Sequence, residues 1–390
     1  MFDMPRLLIV MSAPAQKLPD GRLRLDVKFL EGLPQHADSW DGPVECLLWE
    51  GATAIPFGRD CDPAQLTVPI TVLPAGMRLQ SAHLSGADAI LASADLFLTH
   101  DLPAIVDARI PIVYTIEYTL KTRLDILRLG KASPVRKLRS ALWLLNTERR
   151  MRRAFRAAAA IQCNGFPAHD AYRGMTRDAM LFLDGRMTDR MFATAADQAT
   201  RKTRLQDGHP LRLVNFGRLE RMKGAQDLLP FARKLKELNF PFRLDIFGTG
   251  ELEAEIRDSI TRNSLADCVT LHPPAEFATE LVPWLRENAD IFLSCHRQDD
   301  PSCAYIEAMG CGLPVLGYDN AMWSGLLLAS RAGWSVPLGD VGRLAGRLTE
   351  LGRDDIAMAS DAALDYAKAH DFETEFAARM THLREVVARR

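Results

Sequence analysis

No apolar run in this chain reaches the length that spans a bilayer. The longest near its start, Leu7 to Met11, is too short even for the core of a signal peptide and reads as a buried first strand. Paired cysteine chemistry is also missing. Cys46, Cys61, Cys163, Cys268, Cys295, Cys303 and Cys311 are odd in number, with no C-x-x-C pair and no metal spacing with histidine. This argues against a disulfide scaffold and structural zinc, and suits reduced thiols in a cytoplasm. Net charge is nearly absent: 48 Lys and Arg against 50 Asp and Glu leave −2, so no global field points at nucleic acid. There is no fixed-period repeat and no low-complexity tract.

What remains is an ordinary soluble composition, 47% hydrophobic and 25% charged, in 390 residues, a length that suggests two domains. Short apolar runs alternate with segments of helical period, the pattern of β-α-β units around a parallel sheet. The expected strands are Leu7 to Met11, Val44 to Trp49, Leu96 to Thr99, Ile112 to Tyr114 and Ala159 to Cys163. A second series comprises Leu211 to Phe216, Phe242 to Phe247, Val269 to Leu271, Ile291 to Ser294 and Pro314 to Gly317. The polar stretch Ala193 to Pro210 separates the two series, and helical period returns at Asp355 to Lys368 and Glu373 to Val387. The implied division is 1–195, a linker 196–210, 211–365, and a terminal 366–390 that packs back on the first domain.

Charge is unevenly placed. Residues 121–156 carry twelve basic side chains against Asp125 and Glu148, net +10, leaving −12 for the rest. Val135, Leu138, Leu142 and Leu145 recur at helical spacing as a core stripe, with Trp143 and Leu144 expected on the polar side. A basic amphipathic helix with exposed Trp and Leu is attracted to anionic membrane surfaces, and Trp143, Arg149, Arg150, Arg152 and Arg153 are its candidate contacts. The alternative is a solvated helical face beside an ordinary core stripe.

Three segments carry chemistry. In Asp299 to Val315, DDPSCAYIEAMGCGLPV, Ser302 can cap a helix start, Asp299 and Asp300 suit its positive end, and the N–H groups of Cys303, Ala304 and Tyr305 would be free donors for a diphosphate. Glu307, one turn further in, can accept both hydroxyls of a ribose or simply be a surface residue. In NFGRLERMKG, Arg218 and Lys223 are two cations suited to a diphosphate leaving group in a metal-free site. Gly248, in FGTG after another strand, permits close approach of backbone to ligand.

The ordered set GRLERMKG, FGTGELEAEI, VTLHPPAEFATELVPWLRENADIFLS, DDPSCAYIEAMGCGLPV and AGWSVPLGD resembles the nucleotide-sugar half of GT-B glycosyltransferases of family 4, the retaining group, over about Leu211 to Asp340. The resemblance implies an α/β GT-B fold: two Rossmann-like domains facing a central cleft, with a carboxyl-terminal helix returning to the first. It implies that Arg218 and Lys223 grip the donor diphosphate, Glu307 the ribose and Asp299 the transferred sugar. The family's Glu-x7-Glu pattern is shortened at its first acid to Asp299. The family's Gly-Gly turn is replaced by Tyr318 to Gly325, and its amino-terminal Gly-rich loop by Ser12 to Arg24. The segment VYTIE resembles the one that commonly ends in a pocket histidine; Glu117 stands there, as a proton acceptor, an electrostatic stabiliser or a salt-bridge partner. His100 and Asp101 are further pocket candidates.

The implied activity is transfer of a sugar from a UDP or GDP sugar, as co-substrate and with no cofactor or metal, to an acceptor hydroxyl with retained configuration. The basic segment suggests a lipid-linked glycan acceptor at the inner face of the cytoplasmic membrane, as in exopolysaccharide, capsule or lipopolysaccharide assembly. Alternatives are an epimerase or hydrolase on the same scaffold, and a catalytically silent sugar-nucleotide or membrane-binding module.

Overall fold

The computed structural model describes residues 5–51, 55 and 58–389. The chain forms two compact units. The first comprises residues 1–120, 139–182 and 376–390, and the second 121–138 and 183–375.

The first unit is built on nine strands among the described residues: β1 (Leu7–Lys17), β2 (Leu23–Asp26), β3 (Val44–Glu50), β4 (Gly58–Cys61), β5 (Ile70–Leu73), β6 (Ala89–Ser93), β7 (Ile112–Ile116), β8 (Ala160–Asn164) and β9 (Ala179–Phe182). The parallel part runs β5-β3-β1-β6-β7-β8-β9, while β2 and β4 add antiparallel pairings at the far end of β1. The second unit has a parallel sheet in the order β12-β11-β10-β13-β14-β15, formed by β10 (Leu211–Phe216), β11 (Phe242–Phe247), β12 (Val269–His272), β13 (Ile291–Ser294), β14 (Val315–Tyr318) and β15 (Gly333–Val336). Interior strands covered by helices on both faces are apolar along their whole length, and Ile291, Phe292 and Leu293 of β13 are fully buried. Counted from β10 the order is 3-2-1-4-5-6, which reverses direction between β10 and β13. Ligands bind outside the carboxyl ends of strands at such a reversal.

Three expectations are corrected. Leu96 to Thr99 is no strand: Phe97–Asp101 is a 3-10 turn, and the strand is Ala89–Ser93. The Thr99 hydroxyl donates to Ser93 and Leu96 carbonyls, holding the apolar run in a turn rather than a ladder.

The stretch read as a linker is instead the helix Ala195–Gln206, begun by a reciprocal capping box between Thr194 and Asp197. It is anchored by Arg201, which is fully buried and donates to the carbonyls of Ala289, Gly312, Cys311 and Arg286. Burial, which outweighs the nearby Asp290 carboxylate, pulls its guanidinium pKa down to about 10.

In the helix Pro134–Ala157 the stripe is inverted. Val135, Leu138, Leu142 and Leu145 are 44–71% exposed and Trp143 is exposed as expected, whereas Leu144, expected on the polar side, is buried with Met151, Ala154 and Phe155. The inward face includes Glu148, whose carboxylate accepts from Tyr172 at 3.0 Å and Arg152 at 2.6 Å, so a polar residue occupies a core position. The terminal helices are Arg353–Ala369 and Phe372–Ala388.

Candidate functional site

The candidate site of the second unit forms where the loops after β10 and β11 meet the loop after β13. Gly217 (φ 136°) donates its N–H to Phe247, and Leu219 donates to Thr249. At Gly248 (φ 142°) a Cβ would lie 1.9 Å from the Gly217 carbonyl oxygen. The glycine expected to admit a ligand thus admits the neighbouring loop. Gly224, left-handed at φ 73°, ends the turn Arg221–Lys223; a Cβ there would lie 1.7 Å from the Cys295 carbonyl oxygen. This close approach seats Lys223 against the segment after β13.

There Lys223 forms an ion pair with Asp300, whose side chains are 13% and 7% exposed. Burial alone would raise the Asp300 carboxyl, but Lys223 beside it holds it below the ordinary range. His296 Nδ1 stands 3.8 Å from Asp300 Oδ1, and among the described residues neither atom has a hydrogen-bond partner; the same is true of both polar atoms of the Gln298 amide. Burial, with Lys223 second, pushes His296 down to about 3, so the ring is neutral.

Asp299 is buried and engaged on both oxygens: it pairs with Lys121 through Oδ2 and accepts the Ala321 N–H at Oδ1, at 2.7 Å. Thr122 Oγ1 donates to the Asp299 carbonyl at 3.0 Å. Arg218 is exposed and lies 3.1 Å from Glu220. Glu307, 2% exposed at the side chain, accepts from Arg186 Nε at 2.7 Å.

The helix start differs from the expectation. The helix is Ala304–Gly310, Cys303 takes its N-cap with αR dihedrals, and no side chain caps it. Ser302 donates its N–H to Asp300 at 2.8 Å, so Pro301-Ser302 forms a turn rather than a cap. The Tyr305 N–H is directed at the Ser302 carbonyl at 3.4 Å, and its buried hydroxyl bonds Ser294 and Asn320. Cys303 Sγ lies 3.6 Å from Asp184.

Lys223 is thus brought against Asp300, beside Asp299, and Ser302, Cys303, Ala304, Tyr305, Glu307, Arg218 and Gly248 belong to the same unit. Lys121 and Arg186 are part of the same surroundings and were missed by sequence reasoning. For Arg186 the available signal was the Asp184-Gly185-Arg186 turn directly after an apolar run. For Lys121 there was none beyond its place in the basic segment.

The remaining candidates belong to the first unit. Glu117 is exposed just past β7, and its N–H donates to Asp95 at 2.9 Å. His100 is buried with Nε2 3.0 Å from the Ala94 carbonyl, and Asp101 accepts two hydrogen bonds from Arg150 at 2.8 and 2.9 Å. Trp143 packs edge-on against Phe97 at 4.7 Å. Arg149 and Arg153 are exposed, while Arg152 is held by Glu148. Among the described residues no group of three or more His, Cys, Asp or Glu could hold a metal ion, and no helix is long and apolar enough to cross a membrane.

Residues 197–369 match the family model described as glycosyl transferases group 1. The matched segment contains Arg218, Lys223, Asp299 and Glu307. The amylovoran biosynthesis glycosyltransferase AmsK of Erwinia amylovora is 34% identical over 175 residues, 43% of this chain and 41% of AmsK. The chain's match therefore spans about two fifths of that relative's length. Sucrose-phosphate synthase from Thermosynechococcus elongatus superposes with a TM-score of 0.67 at 15% identity, covering 99% of this chain and 100% of that one. HepE of Anabaena, solved in complex with UDP, superposes at 0.63 and 16% identity over 98% and 100% of the two chains. At these identities the likeness establishes the fold, which is GT-B.

Proposed function

We propose that this chain is a retaining, family 4 type glycosyltransferase that moves a sugar from a nucleoside diphosphate to an acceptor hydroxyl, without a metal. The observation that supports the reading is the ion pair of Lys223 with Asp300, beside Asp299, which joins the loops after β10 and β13 within the segment that matches the group 1 family, with Glu307 on the helix that follows. In this reading Arg218 and Lys223 neutralise the leaving diphosphate, a function a metal ion would otherwise serve. Ser302 and the backbone of Cys303 and Ala304 lie beside it, and Glu307 accepts the ribose hydroxyls. Asp299, oriented by Lys121 and the Ala321 N–H, holds the transferred sugar. Glu117 handles the acceptor's proton or offsets charge at the anomeric carbon. The likeness to AmsK and the UDP bound by HepE support a nucleotide sugar, UDP before GDP, and a polysaccharide product.

The acceptor in this proposal is a lipid-linked glycan at the cytoplasmic membrane face. The exposed apolar face of the helix Pro134–Ala157, flanked by exposed Arg136, Arg139, Arg149 and Arg153, supports peripheral attachment to anionic lipid. The test is release of UDP or GDP from a panel of nucleotide sugars, with and without lipid-extract acceptors. Release that requires the acceptor is expected. Turnover without acceptor points to an epimerase or hydrolase, and binding without release to a silent module; either outcome removes the transferase reading.

A further inference from the structure

After β9 the chain crosses Leu183 to Met187 alongside the helix Ala304–Gly310, and this crossing is tightly held. Leu183 donates its N–H to Glu375 at 3.1 Å, and the Met187 carbonyl accepts from Phe372 at 2.9 Å. A Cβ at Gly310 would lie 2.6 Å from the Met187 methyl carbon, and one at Gly185 3.5 Å from Ile306. The backbone of the crossing therefore runs against the helix that carries Glu307.

From this strap Arg186 reaches Glu307. Its Nε donates to Oε1 at 2.7 Å, and its guanidinium lies 3.8 Å from the centroid of the Phe277 ring. A guanidinium held over an aromatic ring by the cation–π attraction is restrained in position, and its planar fork presents donors in a fixed geometry that a lysine at the same place would not. The pairing outweighs the effect of burial, so the Arg186 pKa is raised above its ordinary value. Arg186 is 45% exposed and Glu307 only 2%, so the arginine spans from solvent to an enclosed carboxylate. Among the described residues nothing donates to Glu307 Oε2, and the terminal nitrogens of Arg186 have no acceptor. One carboxylate oxygen is thus committed and the other is available.

We infer that Arg186 is a positioning residue for the ribose of the donor nucleotide. It supplies the counter-charge of the enclosed Glu307 and fixes its carboxylate through Oε1, so that Oε2 accepts from a ribose hydroxyl. The inference rests on the reading of Glu307 given above and adds a residue to it. A carboxylate without this anchor is a buried charge with no partner and no fixed plane, and loses its hold on the hydroxyl.

The experiment is titration calorimetry of the full chain with UDP and 2′-deoxy-UDP, and with GDP and 2′-deoxy-GDP, at one salt concentration, comparing wild type with Arg186→Met and Arg186→Lys. A hydrogen bond to a charged group gives about tenfold or more in affinity, so the wild type is expected to prefer the ribonucleotide by that factor. In Arg186→Met the preference falls to about twofold or less because ribonucleotide binding weakens while deoxynucleotide binding changes little. Arg186→Lys, which keeps a charge beside Glu307 should the methionine variant fail to fold, is expected near threefold. If either folded variant binds both forms of a nucleotide more weakly by the same factor, with the preference intact, Arg186 acts only as a distant cation and the inference is overturned. A wild type without preference, or without binding, defeats instead the assignment of Glu307 to ribose.

Discussion

Separating Lys223 from Asp300 is the most informative perturbation of the candidate site, because the proposed diphosphate cation is already engaged by a carboxylate. Removing one member of a buried ion pair costs about 3–5 kcal/mol, since the other charge is left without compensation. Lys223 retains 13% exposure and Asp300 7%, so the lower end applies to Lys223→Met. Asp300→Asn is milder, about 2 kcal/mol, because the freed ammonium can turn toward solvent. The double variant Lys223→Met/Asp300→Asn should recover to within about 1 kcal/mol of wild type, a coupling of about 4 kcal/mol. Urea unfolding reads this, scored on the phase belonging to the second unit, because two units need not unfold as one.

Nucleotide affinity should move oppositely in the two single variants. At about 8 Å and an effective dielectric near 20, a unit charge contributes about 2 kcal/mol, an upper bound of roughly thirtyfold before screening. Asp300→Asn is therefore expected to tighten UDP binding about fivefold with a steeper salt dependence, and Lys223→Met to weaken it. Additive stabilities together with an unchanged UDP affinity in both variants would refute the placement of Lys223 at the diphosphate.

The second unit was more legible than the first, for a physical reason. Its strands Leu211–Phe216, Phe242–Phe247 and Ile291–Ser294 are interior and parallel; Ile291–Ser294 is an apolar run, and the other two keep enough large apolar residues at their buried positions, ending in Phe216 and in Ile246-Phe247, for the sequence expectation to coincide with them. In the first unit β2 is Leu-Arg-Leu-Asp in an antiparallel pairing, where alternation with charge hides a strand among surface residues. Ala89–Ser93 is rich in small residues, whereas the bulkier Leu96 to Thr99 presents the stronger strand signal. The helix Pro134–Ala157 carries two apolar stripes, and only tertiary packing selects between them. The polarity of Ala193 to Pro210 suggested a linker because Arg201 reads as a surface charge; only the carbonyls of Ala289, Gly312, Cys311 and Arg286 make it a core residue. Site residue types were legible from the motifs, but their partners were not. Asp300 and Lys223 lie 77 positions apart, and their meeting depends on Gly224 packing on Cys295.

Three further outcomes are expected. His296 and His36 are buried with pKa values pushed down to about 3 and about 4 from 6.5, so the unfolded chain binds protons that the folded chain refuses; stability is full above pH 6.5 and falls toward pH 4. Each contributes up to about 1.4 kcal/mol per pH unit, and His296→Gln should flatten the slope of the second unit's urea transition between pH 6 and 4.5, whereas an unchanged slope contradicts the buried neutral ring. Gly224→Ala should destabilise by about 3 kcal/mol through its left-handed backbone and the collision with Cys295, read as a lowered melting temperature together with lost UDP binding.

The third concerns the helix Pro134–Ala157. Leu138 and Leu142 are 64% and 59% exposed, so replacing both by Glu removes no core contact and should change stability by less than about 0.5 kcal/mol. If this face enters a lipid interface, burying the rest of each leucine contributes about 1 kcal/mol, and the double variant loses about 2 kcal/mol before the added negative charge is counted, roughly thirtyfold in partitioning. Sedimentation with vesicles containing anionic phospholipid is the measurement. High salt should weaken the wild type by screening its arginines, while the leucine effect should persist in salt because apolar burial is not screened. Equal sedimentation of variant and wild type would place the apolar face outside the lipid contact, whatever the arginines do.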